Sequence, residues 1–410
     1  MHRYQFGPFQ LDADEHRLLR GGVEVQLQLK AFETLCLLVA NAGRLLKKEE
    51  LMRRVWPDTV VEENNLNKNV SLLRKALGEE ANGQSYIETV PRMGYRFVAA
   101  VKEIAAPTSP EGVALPDRPD DPLPRQDIRF SVTPDGVRIA WASIGSGPPL
   151  VKASNWLTHL DYEWESPVWR HWWAELSKHH RVIRYDERGN GMSQRDIAGV
   201  SFDTWVRDLE TVVDAAKLER FTLLGISRGG PIAVAYAAKH PDRVSELVLY
   251  GTFPAGRNHY GTPKELEEWR ALVSLTRLGW GVHNSAFSRM FTQRFIPNGT
   301  PVHENWFDQL QRVSTSAENA ARLMETGANI DVRGLLGQIH VPTLVVHCDR
   351  DRVVPPDFGR RLAAEIRDAR FVSLPSTNHL LMAEEPAWTI FLQELGRFLG
   401  WQNAAKPSAR

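Results

Sequence analysis

From residue 102 to residue 125 the chain loses every apolar period. Pro107, Pro110, Pro116, Pro119, Pro122 and Pro124 stand there among Asp, Ala and Gly. A stretch of this kind cannot bury a core and stays extended and semi-rigid, at ~3.1 Å per residue where polyproline-like. It reads as a linker over residues 102–127. The 410 residues also call for more than one core. No internal repeat is visible.

The hydrophobic period differs on the two sides. Residues 4–25 alternate and carry turn signals at Gly7-Pro8, at Asp12 and Asp14, and at Gly21-Gly22, which predicts a small antiparallel sheet. Helical patterns follow over residues 30–41, 48–55 and 62–77. Residues 86–90 and 95–98 then flank Pro91-Arg92-Met93-Gly94, a hairpin with a basic tip. This first domain is expected over residues 1–101.

Beyond the linker, residues 128–133 and 137–142 flank the hairpin signal Pro134-Asp135-Gly136. Residues 150–153, 182–185, 247–250 and 343–346 are short buried-type strands. Amphipathic helices such as residues 205–216 lie between them. The alternation predicts a mostly parallel sheet with helices on both faces, over residues 128–401. Residues 252–337 interrupt it with helix-like, aromatic-containing sequence and read as an inserted helical cap. The fold class is therefore multidomain: a small α+β head, then an α/β body.

Apolar residues make up 42% and charged residues 24%, the balance of a globular protein without a membrane core. The formal net charge is zero, so attraction to nucleic acid must come from a local patch. Cys36 and Cys348 are the two cysteines, both in apolar surroundings. They argue against a disulfide framework or a cysteine zinc site and fit a reducing cytoplasm. The start of the chain lacks a signal pattern, and no apolar run reaches the ~20 residues a bilayer needs. A cytoplasmic protein is expected, with no membrane partner, no metal and no cofactor.

On the predicted helix over residues 62–77, Leu66, Val70, Leu73 and Leu77 form one apolar face. Asn64, Asn67, Lys68, Ser71 and Lys75 line the other. Amides, hydroxyls and amines can read base edges, and Arg74 and Lys75 suit phosphates. A merely solvated face would carry the same residues. The ordered set Leu29-Lys30-Ala31-Phe32-Glu33-Thr34-Leu35, Lys48-Glu49-Glu50-Leu51, Val55-Trp56-Pro57, Leu73-Arg74-Lys75-Ala76-Leu77-Gly78 and residues 86–97 adds context. It resembles the winged helix of OmpR/PhoB-type response-regulator effectors, especially their CadC-like relatives. The resemblance implies double-stranded DNA as partner, residues 62–77 as recognition helix and Arg92 at the wing tip. It also implies tandem binding, a homodimer on DNA. Gln28 departs from the pattern, standing where a capping Ser or Thr is common.

In the body, Ser227 sits in Gly225-Ile226-Ser227-Arg228-Gly229, directly after the apolar run at residues 221–224. The flanking glycines suit a sharp strand-to-helix bend that lifts the hydroxyl clear of the sheet. Asp186-Glu187-Arg188-Gly189-Asn190-Gly191 follows one strand, Asp351-Arg352-Val353-Val354-Pro355 another, and Asn378-His379 comes after them. The whole resembles the α/β-hydrolase superfamily. The resemblance implies Ser227 as nucleophile, Asp351 as acid and His379 as base. Asp349 competes with Asp351 for the acid role. It also implies an oxyanion hole from the backbone N–H of Arg228 and that of Trp156. Where His-Gly is usual before the second donor, this chain has Ser154-Asn155, and Asn155 is expected to take the positive φ of the glycine. Trp156, Tyr162, Trp164, Trp169, Trp172 and Trp173 pack the core or cap, or line an acyl pocket.

Two functions follow. One is a transcriptional regulator whose hydrolase-like body senses a small ester, lactone or acyl ligand and hydrolyses it. The other is a serine carboxylic-ester hydrolase whose DNA-binding domain is vestigial or only localises it.

Overall fold

The computed structural model describes residues 3–12, 17–21, 23–25, 27, 29–55, 63–78, 85–91, 93–104, 125–281 and 286–401. The chain divides into two compact units, Met1–Asp120 and Asp121–Arg410.

In the first unit, strands β1 (Arg3–Phe6), β2 (Phe9–Asp12), β3 (Arg17–Arg20) and β4 (Val23–Glu24) form an antiparallel meander. Gly7, at φ +51°, permits the tight β1–β2 turn. Helices α1 (Leu29–Ala40), α2 (Lys48–Val55) and α3 (Glu63–Leu77) follow. A second sheet joins β5 (Leu45–Lys47) to the hairpin β6 (Ile87–Val90) and β7 (Gly94–Phe97). Leu66, Val70, Leu73 and Leu77 of α3 are buried with Phe6, Leu35, Leu38 and Phe97. Each such side chain contributes about 1.5–3 kcal/mol.

One boundary differs from expectation. Lys102–Ile104 forms strand β8, antiparallel to β1, so the head continues past residue 101. Three residues are too few for a period, and the partner strand lies about a hundred positions earlier, so nothing local marks the strand. The body begins at Asp127, inside the expected linker, with β9 (Asp127–Val132). Residues 105–124 lie outside the described residues.

The body is an eight-stranded sheet in the order β16-β15-β14-β13-β11-β12-β10-β9. Its further strands are β10 (Arg138–Ile144), β11 (Pro149–Ala153), β12 (Arg181–Tyr185), β13 (Phe221–Ile226), β14 (Val244–Tyr250), β15 (Thr343–Cys348) and β16 (Arg370–Leu374). β9 and β10 pair antiparallel at one edge, and β11 through β16 run parallel. Every residue of β13 is buried, as expected of a strand covered on both faces. Its side chains alternate between two cores. Leu223 joins Trp205, Leu209 and Ile232 from helices α5 (Phe202–Ala215) and α6 (Gly229–Lys239). Leu224 joins Trp172, Trp173 and Phe391 from α4 (Arg170–His179) and α12 (Pro386–Leu399).

Four helices lie between β14 and β15: α7 (Pro263–Gly279), α8 (Ala286–Phe295), α9 (Pro301–Ser314) and α10 (Ala317–Ala328). Thr262 and Thr300 each close a capping box ahead of a proline at the first helical position, which fixes where α7 and α9 start. Helix α11 (Pro356–Glu365) follows β15. The strand order reverses between β11 and β13. In an open parallel sheet the crevice outside the carboxyl ends at such a point is where ligands bind.

Candidate active site and DNA-facing helix

Ser227 stands at that point, between the end of β13 and the start of α6, with φ at +51°. A non-glycine residue in the left-handed region is strained by about 1–2 kcal/mol, so surrounding contacts must hold it. Its N–H donates to Tyr250 O at 2.9 Å, and Thr252 Oγ1 donates to its carbonyl at 2.5 Å. The flanking glycines are needed for close approach. A Cβ on Gly225 would fall 2.6 Å from Gly230 Cα, and one on Gly229 would fall 2.8 Å from Ala153 O.

His379 and Asp351 meet behind this turn. His379 Nδ1 donates to Asp351 Oδ2 at 2.6 Å, and both side chains are fully buried. Asp351 Oδ1 accepts the backbone N–H groups of Val353 and Val354 at 2.8 and 3.0 Å. Burial alone would raise the Asp351 pKa, but the His379 and backbone donors outweigh it and hold the carboxyl below its ordinary value. Asp349, the competing acid, is exposed and pairs with Arg350 at 3.3 Å.

The imidazole is fixed from cap and sheet alike. The His379 N–H donates to Phe295 O at 2.8 Å, and the Phe295 ring stands edge-on to the imidazole at 5.4 Å. Gly251, next to the residue that accepts the Ser227 N–H, lies so close that a Cβ there would sit 3.2 Å from His379 Cε1. Residues 250–251 thus touch both the serine turn and the imidazole. His379 Nε2 is buried and has no hydrogen-bond partner, so it makes no bond to Ser227.

The loop after β11 differs from expectation. Asn155 does not take the positive φ; Leu157 does, at +60°. The Asn155 side chain works instead. Its Oδ1 accepts from the buried Lys152 Nζ, and its Nδ2 donates to Trp156 O at 3.2 Å. A side-chain clip replaces the glycine turn. Burial pushes Lys152 down to about 8. Its ammonium lies over the rings of Trp169 and Trp173, at 5.5 and 5.9 Å.

Ser227 opens into a pocket of about 140 Å³. For comparison, a cavity of about 150 Å³ holds benzene. Its apolar wall includes Trp156, Phe253, Trp269, Phe291, Phe295 and Met324, mostly from the cap. Trp156 stacks on Phe295 at 5.7 Å, whereas Trp169, Trp172 and Trp173 are fully buried in the core. The tryptophan run thus supplies one pocket residue and a packed interior. Arg228, Arg257 and Arg294 also line the pocket.

A band of buried charge went unread in the sequence. Arg228 Nη2 pairs with Glu187 Oε1, and the guanidinium lies 4.0 Å over Trp205. Arg188 is shared by Asp208 and Asp135, each at 2.6 Å, and Arg184 pairs with Glu163 at 2.8 Å. Burial pushes Glu187 up to about 7. The available signal was charge inside strand sequence: Lys152 and Arg184 interrupt apolar runs, and Asp186-Glu187-Arg188 follows one directly.

In the head, Lys68, Ser71 and Lys75 are exposed on α3, opposite its buried leucines. Two expected DNA-facing residues are engaged within the head. Asn67 Oδ1 accepts Tyr95 OH at 2.7 Å, and Arg74 Nη2 donates to Ile87 O and Thr89 Oγ1 at 2.7 and 2.8 Å. Arg74 therefore braces α3 against the hairpin. Asn64 lies in α3, but its side chain and the whole of Arg92 fall outside the described residues. Among the described residues, no helix is long and apolar enough to cross a membrane. Nor does any group of three or more His, Cys, Asp and Glu among them suit a metal ion.

Comparison with known proteins agrees with both halves. Residues 162–386 match the α/β hydrolase fold family, and residues 22–97 match the C-terminal domain of transcriptional regulatory proteins. The AB hydrolase superfamily protein YisY of Bacillus subtilis is 28% identical over 260 residues, 62% of this chain and 92% of its own length. Pyrrolizixenacetamide deacetylase of Xenorhabdus hominickii is 28% identical over 257 residues, again 62% and 92%. An esterase structure from Exiguobacterium antarcticum superposes with a TM-score of 0.56 at 26% identity, over 66% of this chain and 98% of its own.

Proposed function

We propose, for a chain that belongs to the α/β hydrolase fold family and carries the DNA-binding domain of transcriptional regulatory proteins, that the head reads DNA while the body binds and hydrolyses a small acyl ligand. The observation that carries this reading is the strained Ser227 lining a ligand-sized pocket, together with a buried, hydrogen-bonded His379–Asp351 pair. Ser227 Oγ attacks the carbonyl carbon of an ester or lactone, and His379 Nε2 takes the hydroxyl proton. The oxyanion is met by the N–H groups of Arg228 and Trp156. Collapse breaks the C–O bond, and the leaving alkoxide takes the proton from His379. Water then repeats the sequence on the acyl-serine, releasing the acid and restoring Ser227. Asp351 keeps the proton on Nδ1 and stabilises the imidazolium. The Ser227–His379 bond has still to form when the ligand binds, as apo catalytic contacts are commonly long.

On this reading ligand occupancy sets the regulatory output, and slow hydrolysis resets it. The protein works in the cytoplasm, as a homodimer on double-stranded DNA. Footprinting at the gene's own promoter, with and without ligand, tests the regulator; absence of sequence-selective protection at ~0.1 M salt refutes it. Turnover of p-nitrophenyl butyrate, compared with Ser227→Ala, tests the chemistry; equal rates refute it. The second reading, a hydrolase that the head merely localises, is favoured if turnover is fast and DNA binding ignores the ligand.

A further inference from the structure

The pocket holds positive charge that the protein does not neutralise. Arg257 and Arg294 both line it, and among the described residues neither guanidinium makes an ion pair or a hydrogen bond. Arg257 lies 5.2 Å over the Trp269 ring. Glu265 is the carboxylate close enough to feel Arg257, but it is committed to the cap of α7, accepting from Thr262 N and Oγ1 at 2.8 Å each. The Arg294 pKa is lowered by burial and by its neighbour Arg257, which means two like charges share one wall. Arg228, next to the serine, is 5% exposed. Its Nη2 is held by Glu187, but Nε and Nη1 are buried with no partner. Two arginine side chains without a counter-charge, Arg257 and Arg294, thus line one apolar space, while Arg228 is turned into the interior against Glu187 and Trp205.

Partly desolvated cations without counter-charge are costly to the fold unless a ligand supplies it. Guanidinium is also the group best shaped to take a carboxylate through paired donors. We infer that the ligand is an acyl compound bearing a second, free carboxylate: a dicarboxylic monoester, or a lactone with an acid side chain. Its ester carbonyl lies at Ser227 and its carboxylate between Arg257 and Arg294. This deepens the acyl-ligand reading above and rests on that reading's assignment of the pocket. A neutral ester of equal length fills the same apolar wall but leaves the guanidiniums unmatched.

The test is titration calorimetry on the full chain carrying Ser227→Ala, which removes turnover. The probes are monomethyl glutarate and its neutral counterpart, dimethyl glutarate. The monoester should bind at least tenfold more tightly, as a charge-assisted contact would give. That ratio should fall about tenfold in Arg294→Gln and in Arg257→Gln, and be retained in Arg294→Lys, which keeps the charge. Tryptophan emission checks that each variant is folded. Equal affinities, no binding of the monoester up to ~10 mM, or a ratio untouched by the glutamine variants would each overturn the inference. The esterase reading is judged separately, on wild-type turnover of the neutral p-nitrophenyl butyrate.

Discussion

Asp351→Asn is the most informative single change, because its consequence follows from the hydrogen bonds around one carboxyl group. Asp351 Oδ1 takes two backbone N–H donors, from Val353 and Val354, while Oδ2 faces His379 Nδ1 at 2.6 Å. An asparagine must keep its oxygen toward the two N–H groups, since its NH₂ there would oppose both. The NH₂ then faces His379 and forces Nδ1 to accept, which leaves the proton on Nε2. A protonated Nε2 cannot take the proton of Ser227. The imidazolium loses a charge-assisted bond worth about 1.5–3 kcal/mol, and restoring the working tautomer sets donor against donor at a further ~1–3 kcal/mol. Together these total about 2.5–6 kcal/mol, or about 10²–10⁴ in kcat at 1.36 kcal/mol per decade. KM for p-nitrophenyl butyrate should change less than threefold, because the carboxyl touches no substrate. Steady-state turnover against wild type and Ser227→Ala gives the answer. A fall of less than tenfold in kcat would refute the assignment of Asp351 as the group that sets the tautomer.

Three other outcomes are expected. Lys68→Ala and Lys75→Ala should each weaken DNA binding across sequences and reduce the salt slope of log K by about 1, as measured by fluorescence anisotropy, with esterase kcat unchanged. Arg74→Ala should act differently: losing the bonds to Ile87 O and Thr89 Oγ1 should lower the stability of the head by about 1–2 kcal/mol in denaturant titration, with the salt slope following only as the head unfolds. Lys152→Met should cut kcat about tenfold by freeing Asn155, and should also alter pH dependence. Lys152 is held at about 8 in the fold against 10.5 ordinarily. Between those values the unfolded chain binds a proton that the fold does not, so stability rises with pH there by at most ~1.4 kcal/mol per unit and is lost as pH falls through 8. Denaturant midpoints from pH 8 to 9.5 should show this slope in wild type and not in Lys152→Met.

The architecture was legible where it rests on period. The strands at residues 221–224, 247–250 and 343–346 read as continuous apolar runs because β13, β14 and β15 are covered on both faces. Helix α3 was legible because burial on one side leaves an i, i+3, i+4 record. The serine turn announced itself through glycines that close approach demands. Contacts between distant segments left no such record. Strand β8 pairs with β1 across nearly the whole head. Asn155 looked like a substitute for glycine because sequence shows a residue's φ preference and hides its partner. That partner, Lys152, sits in what reads as an ordinary strand.

The buried charges explain how the site keeps its shape without the usual glycine. Arg228 ties the serine turn to Glu187 after β12, Lys152 ties β11 to the loop bearing Trp156, and Arg188 joins α5 to the β9–β10 hairpin through Asp208 and Asp135. The links lie around the carboxyl ends of the parallel strands, where backbone pairing stops. Taking charges out of water there adds little net stability. What such links supply is direction, since breaking one by removing a partner costs about 3–5 kcal/mol, so misplaced loops are strongly disfavoured. Arg228 is the member with donors to spare, because only Nη2 is used and Nε and Nη1 stay buried and unpaired. Arg228 thus fixes the serine turn from inside, held between Glu187 and the Trp205 ring.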